Sequence, residues 1–153
     1  MKKVVKFGGS SLASAEQFKK VGNIIRKEES RRYVIPSAPG KRTPDDTKVT
    51  DMLYSCYGQA ILGEDAEKDF EEQLDAIRER YNSIIRGLNL DLSLDEEFKT
   101  IRTNFSKKIG RDYAASRGEY LNGIIMAAYL GYEFIDAAEV IVFDENGNFD
   151  GDK

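Results

Sequence analysis

The segment Lys3-Val4-Val5-Lys6-Phe7, followed at once by Gly8-Gly9-Ser10-Ser11, constrains this chain more than any other. A short β-branched run ending in two glycines reads as a strand entering a tight turn. A helix follows, with Ser14 and Gln17 forming a capping box and Phe18, Val21 and Ile25 falling on one helical face. The charged stretch Arg26 to Arg32 ends that helix, and Tyr33-Val34-Ile35 is a second strand. Pro36-Ser37-Ala38-Pro39-Gly40 breaks it, because proline cannot donate to a ladder or enter a helix interior.

Beyond this point helical periodicity dominates. A polar loop through Asp46 leads to a helix from about Lys48 to Leu62. The next, from about Glu64 to Arg86, places Phe70, Leu74, Ile77, Tyr81 and Ile84 on one stripe and its charges elsewhere. Ser93-Leu94-Asp95-Glu96 reads as a second capping box, opening a helix with Phe98, Ile101 and Phe105 on its inner face. The last long helix runs from about Asp112 to Leu130, closed by Gly131, with Leu121, Ile124, Ile125 and Ala128 as its apolar face. Tyr132 to Asp136 then reads as a third strand and Val140 to Phe143 as a fourth, with Asn146-Gly147 as a hairpin turn. The Asp144-x-Asn146-x-Asn148 spacing is not a calcium loop, since Phe149 stands where that loop requires glycine.

Strands separated by helices predict an α/β fold whose parallel sheet is covered on both faces. With three or four strands and a terminal hairpin lacking a partner, the sheet reads as unfinished. A length of 153 residues allows one domain with one substantial core.

Composition removes several kinds of chemistry. There is no histidine, so the commonest general base and zinc ligand are both missing. Cys56 is the single cysteine, which excludes an internal disulfide, and its apolar helical surroundings mark it as a buried structural thiol. Basic and acidic residues are interspersed with a net charge of −4, so no nucleic acid partner is expected. No apolar run approaches the roughly 18 residues that span a bilayer. Met1-Lys2-Lys3 runs straight into a strand rather than an apolar leader, so no membrane association and a cytoplasmic location are expected.

In an open parallel sheet, ligands settle where the strands end. At the first end, the backbone of Gly8 and Gly9 permits close approach of N–H groups to an anion, the following helix adds a positive dipole end, and Lys6 adds a full charge. It is not a P-loop, because the lysine precedes the glycines; residues alone leave a purely structural turn open. At the second end, Ser37 to Gly40 offers a hydroxyl and free amides, and Lys48-Val49-Thr50-Asp51 opens the next helix; a turn plus a helix cap accounts for them equally. Within the last long helix, Ser116-Arg117-Gly118-Glu119 carries a glycine that costs about 1 kcal/mol relative to alanine, as does Gly123, so a close approach is expected there. Glu119 points away from the apolar face, where it can meet either solvent or a ligand.

Four motifs in this order, KFGGSS at Lys6 to Ser11, SAPG at Ser37 to Gly40, KVTD at Lys48 to Asp51 and SRGEYLNG at Ser116 to Gly123, resemble the aspartate kinases of the amino acid kinase family. The likeness runs from about Lys3 to Val142, with only generic helices between Gly63 and Lys108. It implies a three-layer α/β/α sandwich, here incomplete, as the amino-terminal substrate-binding lobe of the catalytic domain. It also implies transfer of the ATP γ-phosphoryl group, with Mg2+, to the side-chain carboxylate of L-aspartate, in an enzyme that is a homo-oligomer at full length. Lys6, as the catalytic residue, with Gly8, Gly9 and Ser10, would face the ATP phosphates; Ser37, Thr50 and Glu119 would hold aspartate; no residue here would bind metal. Pro36 departs from the apolar or small residue that the family carries before the serine. A second glycine-rich motif with an arginine and an aspartate, the nucleotide-binding strands and the regulatory domains are expected beyond residue 153, so the fragment alone is expected to be inactive. Two other readings remain at this point: a family member with a different acceptor, and a non-catalytic assembly module.

Overall fold

A computed structural model describes residues 1–141 and 146. Two parallel strands, β1 (Lys3–Phe7) and β2 (Arg31–Pro36), are joined through helix α1 (Ala15–Arg26). Ser14 caps α1 by accepting from the Gln17 amide at 3.4 Å, and Phe18, Val21 and Ile25 are all buried. The sheet register sets Val4 opposite Tyr33 and Lys6 opposite Ile35. Alternation then splits the sheet into two faces. Val5, Phe7 and Val34 pack on the core, whereas Val4, Tyr33 and Ile35 are exposed.

Four helices build the rest of the core: α2 (Val49–Leu62), α3 (Glu67–Gly87), α4 (Asp95–Ser106) and α5 (Arg111–Leu130). Among their fully buried side chains are Leu53, Ile77, Tyr81, Ile101, Phe105 and Leu121. Gly131, in the left-handed region at φ 73°, closes α5. None of the described helices is long and apolar enough to cross a membrane. Cys56 is buried and donates weakly to the Phe70 carbonyl; burial, with Glu71 adding to it, pushes the thiol up to about 12. It is therefore an inert core residue at neutral pH.

The α/β expectation holds, but among the described residues the sheet is covered on one face only, Val4, Tyr33 and Ile35 being exposed on the other, and there are corrections at the edges. The second strand extends to Arg31 and Pro36 rather than spanning Tyr33 to Ile35, so two arginines assigned to the end of α1 belong to the sheet. Proline ends the ladder without interrupting it: Pro36 pairs with Phe7 by position, and the next amide, Ser37, donates to the Phe7 carbonyl at 3.1 Å. Ser93 does not close a capping box; its hydroxyl accepts from Asp95, one residue short of Glu96. Ala128 is exposed, and Asn122 and Met126 are buried on α5 in its place.

The expected third strand, Tyr132 to Asp136, pairs with neither β1 nor β2. Its side chains hold it instead: the Tyr132 hydroxyl donates to the Arg31 carbonyl at 3.3 Å, Phe134 packs edge-on to Tyr120, and Asp136 caps the short helix α6 (Ala137–Val140). Val140, assigned to a fourth strand, ends α6. The remainder of that strand, the Gly147 half of the hairpin turn and the rejected calcium loop lie outside the described residues, apart from Ile141 and Asn146.

Candidate functional site

Because β1 and β2 are parallel, both end on the same side of the molecule, and the segments after them lock together. The Gly40 amide donates to the Gly9 carbonyl at 2.8 Å. A Cβ on Gly40 would lie 2.6 Å from the Gly9 carbonyl carbon and 2.7 Å from the Ser10 nitrogen, so these two backbones touch with no room for a side chain. The Val49 amide donates to the Pro39 carbonyl at 3.0 Å, which draws the start of α2 onto the same loop.

Helix α5 approaches from another direction. A Cβ on Gly118 would come 2.7 Å from that of Ala38, which is the close approach that a mid-helix glycine predicts. Gly123 makes room in the same way for the Phe134 ring. The fully buried Tyr81 hydroxyl donates to the Gly118 carbonyl at 2.7 Å, and the Asn122 amide donates to the Ser37 carbonyl at 2.7 Å. Arg117, between Ser116 and Gly118, stacks on Tyr113 and Tyr120 at 4.6 and 4.3 Å and is thereby held on its own helix.

The seven residues singled out in the sequence lie on the segments that converge here. Lys6 is on the open face of β1 and is exposed. Gly8 is exposed with nothing within 4 Å of its hypothetical Cβ; Gly9 and Ser10 begin the 3-10 turn Gly9–Leu12. Ser37 is half-buried at the end of β2, Thr50 is half-buried in the first turn of α2, and Glu119 is exposed beside Gly118. The expected helix dipole needs correction: the element after the glycines is that four-residue turn, and α1 starts only at Ala15.

Arg80 escaped the sequence reading, which set the charges of α3 on its outer faces. It is 4 % exposed, yet it donates to the carbonyls of Thr47 at 3.1 Å, Ala13 at 3.2 Å and Gly40, and lies 3.6 Å from Asp46. The available signal was position: residue 80 follows Ile77 by three and precedes Ile84 by four, which puts it on the buried stripe.

Asp46 completes this cluster. Arg42 grips it with Nε on Oδ2 at 2.7 Å and a second nitrogen on Oδ1 at 3.0 Å, while its backbone amide also donates at 2.9 Å. These bonds from Arg42, with the nearby Arg80 charge, hold the carboxyl well below the usual carboxylate range. A depressed folded-state pKa contributes stability that is fully present above the unfolded value of about 4 and is lost as pH falls through the folded one. Asp46→Asn is therefore expected to cost about 1 kcal/mol at pH 6 and to lose less on going to pH 3 than the parent chain. Urea midpoints at the two pH values measure this; equal acid losses would refute it.

The amino acid kinase family model matches residues 1–152. Aspartokinase 3 of Bacillus subtilis is 37% identical over 159 residues, covering 95% of this chain and 34% of that protein. The chloroplastic aspartokinase 1 of Arabidopsis thaliana is 32% identical, over 92% of this chain and 25% of that protein. The crystal structure of Clostridium acetobutylicum aspartate kinase superposes with a TM-score of 0.90 at 50% identity, over 98% of this chain and 34% of that one. Escherichia coli aspartokinase III, solved in complex with aspartate and ADP, shares the fold at 22% identity and a TM-score of 0.66, over 86% of this chain and 29% of that one. The chain thus spans about a third or less of the length of these relatives. It belongs to the amino acid kinase family, and the relatives just described are aspartate kinases.

Proposed function

We propose that residues 1–153 form the amino-terminal, aspartate-binding lobe of an aspartate kinase, which transfers the γ-phosphoryl group of ATP to the side-chain carboxylate of L-aspartate and yields 4-phospho-L-aspartate. On this reading the enzyme opens lysine, threonine and methionine biosynthesis in the cytoplasm and works as a homo-oligomer. The observation that carries it is the meeting of the glycine turn, the Ser37–Gly40 loop, the start of α2 and the Gly118 stretch of α5 at one corner. A relative at 50% identity that is itself an aspartate kinase supports the choice of acceptor.

The chemistry suits a chain without histidine. The aspartate side chain, with a free pKa of about 3.9, is ionised at neutral pH and needs no general base to become a nucleophile. What remains is positioning and neutralisation of charge as the phosphoryl group moves. The amides of Gly8, Gly9 and Ser10 and the ammonium of Lys6 would meet the phosphate oxygens, with the open space over Gly8 leaving them accessible. Ser37 and Thr50 would orient the aspartate, and Glu119 would accept from its ammonium group. Mg2+ would arrive with the nucleotide phosphates and offset their charge; among the described residues no three acidic, histidine or cysteine groups gather to hold it.

Titration of the labelled chain with L-aspartate, followed by amide NMR, tests this. Shifts are expected around residues 8–10, 37–40, 50 and 119, and Glu119→Gln should weaken binding about tenfold to a hundredfold, the worth of one hydrogen bond to a charged group. L-Glutamate and carbamate, probes for the alternative reading of a family member with a different acceptor, should shift little. With ATP, Mg2+ and aspartate, the chain alone should form no aspartyl hydroxamate in the presence of hydroxylamine. Shifts confined to another face, or equal affinity in the Glu119→Gln variant, would remove the reading.

A further inference from the structure

The buried charged and amide side chains among the described residues are Arg80 and Asn122, and both donate to the loop between Ser37 and Gly40. Asn122 takes its first carbonyl and Arg80 its last. Arg80 reaches further, because its other two acceptors belong to the segments on either side. Ala13 follows directly on the 3-10 turn Gly9–Leu12, and Thr47 precedes Lys48, the residue just before the first residue of α2.

We infer that Arg80 is a positioning residue, its guanidinium fixing the glycine turn, the Ser37–Gly40 loop and the start of α2 in one register. This rests on the assignment of that corner to phosphoryl transfer. A planar fork with several fixed N–H directions can serve three carbonyls at once, which a lysine ammonium on a flexible stem does less well. Burying such a charge is unfavourable unless it is fully paired, and among the described residues the pairing is incomplete: the one carboxylate within 4 Å is Asp46 at 3.6 Å, and Nε has no hydrogen-bond partner there. An apolar residue at position 80 would satisfy the α3 stripe without that penalty. What only arginine supplies is the three-way tie.

Such a tie has a functional consequence. Ser37 and Thr50 stand on two of the clamped segments and Gly8 to Ser10 on the third, so a shift of one against another would misplace aspartate relative to the phosphates. Losses from misplacement far exceed those expected from the contact itself.

Hydrogen exchange on the 153-residue chain tests the clamp without any ligand. In Arg80→Met, the Gly40 and Val49 amides, which bond across these segments, should exchange at least tenfold faster, while the Ile101 amide in α4 stays within about twofold of the parent. Arg80→Lys should fall between the two, and it carries the comparison if the methionine variant does not fold. In parallel, the aspartate dissociation constant, measured where each variant is fully folded, should rise at least tenfold in Arg80→Met and less in Arg80→Lys. Uniform acceleration throughout the core, or unchanged rates at Gly40 and Val49, would overturn the inference. A parent chain that binds no aspartate would instead overturn the functional reading of the corner, and the exchange rates would still decide whether Arg80 sets the register.

Discussion

Gly40→Ala is expected to destabilise the chain by about 3–5 kcal/mol, while Gly8→Ala, four residues from Leu12 in the same corner, leaves stability within about 0.5 kcal/mol. The two glycines face opposite surroundings. On Gly40 an added methyl would meet the Gly9 carbonyl carbon at 2.6 Å, the Ser10 nitrogen at 2.7 Å and the Gly9 oxygen at 2.8 Å, and all three are backbone atoms that no rotamer change can move. The loops must part, which breaks the 2.8 Å bond from the Gly40 amide to Gly9 and draws the Gly40 carbonyl away from Arg80. Overpacking of this kind costs about 1–3 kcal/mol or somewhat more, and each lost hydrogen bond adds about 1 kcal/mol.

On Gly8 the methyl would enter open space, and φ of −77° suits any residue. On the proposed reading the penalty there should appear in ligand binding, since a methyl at that place would stand between the amides and an incoming phosphate. Urea unfolding of both variants, with amide NMR titration of residues 8–10 by inorganic triphosphate, separates the two effects. A stable Gly40→Ala chain would contradict the packing described for the two loops.

Much of this corner is legible in the sequence because its signals are local. Lys3 to Phe7 followed by two glycines identifies a strand and a turn from neighbouring residues alone, and Ser14 with Gln17 announces α1 in the same way. The mid-helix glycine at 118 points to a close approach without naming the partner, since Ala38 lies far away in the chain and only the fold brings it near. Tyr132 to Asp136 has the composition of a strand, but a strand exists through pairing, and its contacts to Arg31, Tyr120 and Gly123 fasten it by side chains. Arg80 was misassigned for a related reason. Periodicity sorts residues by polarity, so a charge on an apolar stripe is read as slack in the pattern. Its acceptors are main-chain carbonyls, Ala13 before α1 and Gly40 and Thr47 within the connection from β2 to α2, and main-chain carbonyls carry no sequence signal.

Phe105→Ala is expected to cost about 3–5 kcal/mol, against a total stability of about 5–15 kcal/mol for a domain of ordinary size. Phe105 is fully buried where three elements meet α4. Its ring lies edge-on to Tyr57 of α2 at 5.4 Å and to Tyr113 of α5 at 6.2 Å, and tilted to Phe70 of α3 at 6.5 Å. Truncation would lose the transfer free energy of the ring, three aromatic contacts and the packing of the cavity walls. The surroundings are poorly placed to collapse into the gap, because Asn104 bonds the Tyr113 hydroxyl at 2.8 Å and holds that ring in place. With a urea dependence of about 1–3 kcal/mol per molar, the unfolding midpoint should fall by roughly 2 M. Phe105→Leu, which keeps most of the volume, should cost about 1.5 kcal/mol or less. The functional consequence runs through α2 and α5, which carry Thr50 and Glu119 and are held together across this ring: aspartate binding should disappear along the same urea curve as the fold. Retained binding after the helices have melted, or a cost below about 1 kcal/mol for the alanine variant, would show that the corner is held by the loops alone and that the helical core does not position it.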